Sequence, residues 1–99
     1  MQLKNGVDIS RLSPAMQVAN AKAAVIWHLN GQELVVTAGR DGVHMNGSKH
    51  YTGDACDYRT RYFPEDIIYV VLSDLRTALG PDYDVVLHDT HIHCEYDPE

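Results

Sequence analysis

The chain has 99 residues, enough for one hydrophobic core, so we expect a single domain over residues 1–99. Hydrophobic residues make up 44% of the chain and charged residues 22%, which are ordinary values for a globular protein and argue against wholesale disorder. The net charge of -6 disfavours non-specific binding to nucleic acid, because an acidic surface gains little from phosphate backbones.

The N-terminal residues 1–6 are polar and no apolar segment follows them, so the sequence shows no signal peptide. No stretch approaches the length of apolar chain that a membrane-spanning helix needs. We therefore expect a protein without membrane insertion that stays in the cytoplasm of the cell that makes it, unless something else releases it.

The first predicted element is a helix over residues 14–29. Ser13 can cap it, apolar residues recur at helical spacing along it, and Gly31 ends it in the left-handed conformation. A β-branched, apolar run over residues 33–38 predicts a short strand. Residues 39–47 contain three glycines and are predicted to form a loop.

The second half of the chain predicts a strand, a helix and two further strands. Residues 54–59 predict a strand and residues 64–79 a helix with an apolar stripe, which Gly80-Pro81 stops. Two further strands are predicted over residues 85–88 and 91–96, as one interrupted hairpin. The order helix, strand, strand, helix, strand, strand predicts an α+β domain, in which a small antiparallel sheet has its helices packed on one face.

Two segments concentrate side chains that bind metals. His50 and Asp57 lie seven positions apart on either side of a tight turn at Gly53. His91 and His93 are two positions apart, so on a strand both face the same side of the sheet. Imidazole nitrogen and carboxylate oxygen are the usual ligands of zinc other than thiolate, and three of them with an open fourth position are typical of hydrolytic zinc sites. The competing interpretation is that these histidines are ordinary polar residues.

The two cysteines each lie directly beside one of these segments. On strands, Cys56 and Cys94 would point away from their metal-capable neighbours. The simpler expectation is that both are small buried thiols, and a disulfide between them would require their strands to be adjacent.

Residues 48–57 resemble the SxHxxGxAxD signature of the zinc D-alanyl-D-alanine peptidases, with every fixed position present. That group includes the VanX-type dipeptidases, bacterial zinc carboxypeptidases and phage L-alanyl-D-glutamate endolysins. Residues 91–93 resemble the HxH that closes the family's site, and the hedgehog signalling domain, which shares the fold, has a similar His-Ile-His-Cys run. The layout is most similar to short phage-encoded members, so release from the producing cell at lysis is the alternative to a cytoplasmic location.

The resemblance implies a hedgehog/DD-peptidase-like fold with Zn²⁺ held by His50, Asp57 and His93. It implies that Ser48 hydrogen-bonds the substrate or Asp57, and that His91 lies behind the ligands or contacts substrate. The implied function is a monomeric zinc metallopeptidase, acting as a carboxypeptidase or endopeptidase on peptidoglycan stem peptides or small D-amino-acid peptides. In such enzymes the metal lowers the pKa of its bound water to about 7.

Two loop residues are further candidates for substrate binding. Arg40 resembles the family's upstream arginine, which polarises the scissile carbonyl, although the spacing around Gly39 is not the usual one. A solvated loop arginine is the alternative. His44, six residues before His50 in the glycine-rich loop, either overhangs the metal or is solvated.

The chain departs from the family pattern at the general base. The active enzymes carry an acidic residue three positions before the last zinc histidine, where this chain has Thr90. The replacement candidates for catalysis are His88, Asp89 and His91. Asp89 would need a local turn, since on a regular strand it lies about 13 Å from His93. Histidine is the commonest acid–base group.

A second function competes because of this departure. The hedgehog domain keeps zinc without evident peptidase action. The alternative is therefore a catalytically inactive zinc-binding domain of the same fold, which binds a cell-wall fragment or a protein partner.

Overall fold

The computed structural model of the protein describes residues 1–42 and 44–98, so Val43 of the predicted loop lies outside the described residues. The described elements are, in chain order, β1 (Gln2–Leu3), α1 (Pro14–Leu29), β2 (Val35–Ala38), β3 (Ala55–Arg59), α2 (Glu65–Leu79), β4 (Tyr83–Leu87) and β5 (His91–Tyr96). The predicted α+β class is confirmed. Neither of the described helices combines the length and the apolar character needed to cross a bilayer.

Helix α1 begins and ends where its sequence predicts. The Ser13 hydroxyl accepts a hydrogen bond from the Met16 backbone N–H at 3.2 Å, and Pro14 occupies the first turn. Gly31 follows the helix with a φ of 86°, the left-handed conformation that glycine adopts without a steric penalty. The apolar face of α1 is buried, with Trp27 fully inside the core.

Helix α2 begins one residue later than predicted. Pro64 precedes it in an extended conformation (ψ 151°) and provides no side-chain cap. Glu65 and Asp66 in the first turn complement the positive end of the helix dipole. The predicted apolar stripe faces the core: its buried members are Val71, Leu72, Leu75 and Leu79, and Ile67 and Ile68 are partly buried against them.

The five described strands form one sheet in the order β1-β2-β3-β5-β4. The prediction of a purely antiparallel sheet is wrong at one edge, because β1 pairs with β2 in parallel. Strand β1 has only two residues, held by backbone bonds from Gln2 N–H to Leu34 O (2.8 Å) and from Lys4 N–H to Val36 O (3.0 Å). Two residues are too few to produce an alternating pattern in the sequence.

The two faces of the central strands have different chemistry. In the antiparallel pairing of β3 with β5, Asp57 lies opposite His93 and Arg59 lies opposite His91. The alternate residues of these strands, such as Tyr58 and Ile92, are fully buried and pack with both helices. The helices therefore cover an apolar face, and the opposite face carries the carboxylate and the histidines.

The cysteines belong to the apolar face. Cys56 and Cys94 lie directly opposite each other on β3 and β5, and both are free and buried. Burial raises the pKa of each thiol to about 12. The expectation of two buried thiols is therefore confirmed, and both are in the protonated form, which is a poor nucleophile and a poor metal ligand.

Candidate metal centre

Three side chains from separate parts of the chain converge on the polar face of the sheet. His50 comes from the loop before β3, Asp57 from β3 and His93 from β5. One nitrogen or oxygen of each lies within 4.8 Å of the others. The pairing of β3 with β5 brings Asp57 and His93 together across 36 positions of sequence.

Asp57 is at the centre of this group. Its Oδ1 lies 2.9 Å from His93 Nδ1 and 3.3 Å from His50 Nε2. Its Oδ2 lies 3.7 Å from His91 Nε2. The carboxylate therefore faces three imidazole rings, and two of them share one of its oxygens.

The orientation of His50 is set by the backbone. Its ring is almost fully buried, and Nδ1 lies 2.8 Å from the carbonyl oxygen of Gly39, to which it donates. With Nδ1 protonated, Nε2 faces Asp57 Oδ1: it donates to the carboxylate when the ring carries a second proton, and it offers a lone pair to a metal ion when the ring is neutral. A hydrogen bond to the second ring nitrogen is the usual way in which proteins orient a metal-binding histidine. The backbone N–H of His50 also donates to Ser48 Oγ at 3.2 Å.

Two glycines let the N-terminal segment pack against the loops of the site. A Cβ on Gly39 would overlap the Asp8 carbonyl oxygen, and one on Gly53 would overlap the carbonyl oxygen of Arg11. Gly53 also has a φ of 79°, which supports the expectation of a tight turn there. The glycine of the SxHxxGxAxD pattern thus has a steric reason in this chain.

Glu95 also belongs to the site, although the sequence patterns did not predict it. Its Oε1 lies 2.8 Å from His93 Nε2, so each nitrogen of the His93 ring faces a carboxylate. The signal was the strand alternation that already placed His91 and His93 on one face, because Glu95 is the next residue in that alternation. Glu95 orients the His93 ring so that Nδ1 faces the centre of the group.

The charges of the site depend on these contacts. The hydrogen bond to Asp57 raises the pKa of His93, against the opposing effect of burial and with further help from Glu95. Burial alone would raise the pKa of Asp57, but hydrogen bonds from His50 and His93 outweigh it and hold that pKa well below its usual range. The group is therefore balanced either by a proton on His93 or by a bound cation.

His50, Asp57 and His93 can together hold a metal ion. Their donor atoms are two imidazole nitrogens and one carboxylate oxygen. This donor set suits zinc, and also other divalent metals that accept nitrogen and oxygen ligands. The two orienting partners, the Gly39 carbonyl and the Glu95 carboxylate, direct the other nitrogen of each histidine towards Asp57, where an ion could replace the hydrogen bonds to the carboxylate.

The other two histidines of β5 and its hairpin lie beside the group. His91 Nδ1 is 3.2 Å from Thr90 Oγ1, and its ring stacks on that of His88 with centroids 4.9 Å apart. Burial lowers the pKa of His91, although the nearby Asp57 opposes this, so its imidazole is largely neutral at pH 7. The structure thus brings His88 and His91 to the site.

Asp89 is placed differently. The hairpin between β4 and β5 is closed by a bond from His88 N–H to His91 O at 2.8 Å, which leaves Asp89 exposed in the turn. In the described part of the chain, Asp89 is not among the residues that line the cleft at the site.

The three predicted substrate residues also have distinct positions. His44 stacks on His50, with ring centroids 4.0 Å apart and planes 7° from parallel, and it lines the cleft. Ser48 lines the same cleft. Arg40 instead donates from Nε to the Tyr51 carbonyl oxygen at 3.2 Å and does not line this cleft.

The cleft is open and has a volume of about 520 Å³. It is lined by His50, Asp57 and His93 together with the loop 44–49, His88 and Glu95. A volume of this size is typical of small-molecule sites and accommodates a short peptide. The metal-capable atoms are therefore accessible from solvent at the base of a cleft.

Comparison of the chain with models of protein families gave no match. No curated protein and no solved structure matched it either. The geometry of the described residues and the pattern of the sequence are therefore the only grounds for assigning a function.

Proposed function

We propose that the protein is a zinc metallopeptidase that hydrolyses the stem peptides of peptidoglycan or small D-amino-acid peptides. The observation that carries this proposal is the convergence of His50 Nε2, Asp57 Oδ1 and His93 Nδ1 at the base of an open cleft. The substrate class depends on the resemblance of residues 48–57 to the zinc D-alanyl-D-alanine peptidases.

In this proposal His50, Asp57 and His93 hold the ion. Zinc, when bound, supplies a Lewis acid that polarises a carbonyl group and makes water more acidic. Glu95 and the Gly39 carbonyl hold the two histidine rings in their binding orientation. The stacked ring of His44 shields one side of His50 from solvent.

His91 is the general base of the proposed reaction. Its Nδ1 donates to the Thr90 hydroxyl in the tautomer that leaves Nε2 free, and Nε2 lies beside Asp57 at 3.7 Å. His91 Nε2 can thus accept the proton of the attacking water, which a threonine hydroxyl cannot do. Thr90 then has a positioning role, and the ring of His88 stacks on that of His91.

The proposal is tested by hydrolysis assays with purified peptidoglycan and with alanyl dipeptides. The zinc-loaded protein should release new amino groups, and a chelator should abolish the release. His93→Ala should lose activity, while His28→Ala, on the exposed side of α1, should keep it. Absence of chelator-sensitive release on both substrate types would contradict the proposal.

A second candidate function is favoured by Thr90. If His91 does not act as a base, the chain is a catalytically inactive zinc-binding domain that binds a cell-wall fragment or a protein partner. Thr90→Asp separates the two, because a general base typically contributes about 10²–10⁴-fold in rate. A large gain in the variant would favour the inactive domain, whereas a wild-type rate that already equals the variant's would exclude it.

A further inference from the structure

A second cleft adjoins the metal centre on the other side of Asp57. It has a volume of about 260 Å³, and its lining includes Lys4, Arg59 and Arg61 together with Asp57, Thr90 and His91. Asp57 lines both clefts, so the two meet at the metal-binding carboxylate. A ligand in the second cleft would therefore lie directly beside the ion.

The fold brings these three cations together from distant parts of the sequence. Arg59 follows Asp57 by two positions on β3, so both side chains lie on the same face, with Cα atoms about 7 Å apart. Arg61 lies just beyond the end of that strand. Lys4 follows β1, and the parallel pairing of β1 with β2 brings it to the same cleft.

The cations have no acidic partner in the described part of the chain. None of the ion pairs formed by the described residues involves Lys4, Arg59 or Arg61. Asp57 is the single carboxylate in the described lining, and its oxygens face the histidines. In a chain with only eight lysines and arginines and a net charge of -6, three unpaired cations in one cleft create a local attraction for anions.

The chemistry of this group suits a carboxylate. The planar guanidinium group of arginine binds carboxylates through two parallel hydrogen bonds, and phosphates offer the same geometry. A peptide advances by about 3.3–3.6 Å per residue. A carboxylate bound near Arg59 therefore lies within about two residues of a carbonyl group at the metal centre.

We propose that Lys4, Arg59 and Arg61 form a carboxylate-binding subsite that holds the free C-terminal carboxylate of a peptide. The effect of this subsite on hydrolysis rests on the proposed peptidase function. The subsite then directs hydrolysis to bonds within about two residues of the C-terminus, so the protein acts as a carboxypeptidase or dipeptidase and not on internal bonds.

Binding of N-acetyl-alanyl-alanine tests the subsite independently of catalysis. Its affinity for the full-length protein is measured by NMR titration, with and without zinc, as the free acid and as the C-terminal amide. The acid should bind at least about tenfold more tightly, a difference of about 1.4 kcal/mol, because hydrogen bonds to a charged group are stronger than those to a neutral amide. Arg59→Gln and Arg61→Gln should each remove most of this preference, whereas Arg11→Gln, an exposed arginine elsewhere, should keep it.

Equal affinities for the acid and the amide would overturn the subsite. A preference for the acid that survives Arg61→Gln would also overturn it. Arg61 is exposed, so this substitution should leave the fold intact. Inorganic phosphate is the second probe. If phosphate binds through Arg59 and Arg61 and the peptide acid does not, the cleft takes phosphate groups and the carboxylate assignment is wrong.

Hydrolysis separates failure of the subsite from failure of the proposed function. Preferential binding of the acid with no hydrolysis of either peptide would contradict the peptidase and leave the subsite in place. Hydrolysis of the acid and the amide at equal rates would contradict the subsite and leave the peptidase function in place.

Discussion

At the residue scale, the site is organised by Asp57. One of its oxygens is shared by His50 and His93, and the other faces His91. Each of the two histidines that share an oxygen has its second nitrogen bound by a partner, which is the Gly39 carbonyl for His50 and the Glu95 carboxylate for His93. These two partners decide which nitrogen of each ring is available to a metal.

Glu95→Gln tests the role of the carboxylate partner. We expect the zinc affinity to fall by about 10–100-fold, the usual effect of removing a partner that orients a metal-binding histidine. The measurement is competition for zinc with a chromophoric chelator. Glu33→Gln, at the other end of the sheet beside the N-terminus, is the control and should leave the affinity unchanged. An unchanged affinity in Glu95→Gln would show that Glu95 does not orient His93.

At the element scale, the position of His50 depends on the packing of one loop against the N-terminal segment. Asp41 Oδ1 accepts backbone hydrogen bonds from Gly39 (2.9 Å) and Asp8 (2.8 Å) and so joins the two segments. The Arg40 N–H donates to the Asp8 carbonyl at 2.8 Å. The Gly39 carbonyl that orients His50 is thus held in place by contacts outside the metal centre.

Asp41→Asn should reduce the loss of folding stability that occurs when the pH falls. Burial raises the pKa of Asp41, but the backbone hydrogen bonds outweigh this and lower it below its ordinary 3.8. Because the folded pKa is below the unfolded one, the carboxylate stabilises the fold above about pH 4, and this stability is lost as the pH falls through the folded pKa. Melting temperatures of wild type and variant should differ at pH 7 and converge towards pH 2–3.

A melting-temperature difference that stayed constant from pH 7 to pH 2 would contradict this assignment. Asp74→Asn, on the exposed side of α2, is the matched control, and its effect on stability should be small at both ends of the range.

Gly39→Ala tests the close approach of the loop to the N-terminal segment. The added methyl group would overlap a backbone carbonyl, and such overpacking typically costs about 1–3 kcal/mol of folding free energy. The shift of the Gly39 carbonyl should also weaken zinc binding. Gly47→Ala has open space around its Cβ but a φ of 82°, so it should lose about 1–2 kcal/mol and keep its zinc affinity. Denaturant unfolding and zinc competition give the two quantities, and equal zinc affinities in both variants would contradict the role of Gly39.

At the scale of the whole molecule, the two helices cover one face of the sheet and leave the other to the polar site. The metal-capable residues connect the loop before β3 with both central strands. An ion at this point would therefore add a link between the loop before β3 and the two paired strands β3 and β5.

Zinc should accordingly raise the melting temperature of the chelated protein. At a free concentration of 100 times Kd, binding adds about 2.7 kcal/mol to the free energy of unfolding. For a domain of this size, that corresponds to a rise of roughly 10–20 °C. Differential scanning calorimetry measures the shift, and in His93→Ala most of it should disappear. An unchanged melting temperature in wild type would contradict the ligand set.

The sequence by itself determined the elements with strong local signals. The caps and periodicity of α1 specify both its ends, and the strand alternation at His91 and His93 places both side chains on one face. The trio His50, Asp57 and His93 followed from a resemblance in spacing, and the structure brings these three residues together. Local patterns of this kind depend on neighbouring residues and so are visible in one dimension.

Only the tertiary structure decided the features that depend on pairings between distant segments. The parallel addition of the two-residue β1 brings Lys4 to the cleft that Arg59 and Arg61 line, and no local pattern of the sequence indicates this. The Gly39 carbonyl became the partner of His50 through backbone packing, which side-chain identity does not specify. The physical reason is the same in both cases. The positions of the backbone carbonyl and of the cations depend on which segments pair and pack together, and not on the residues adjacent to them in sequence.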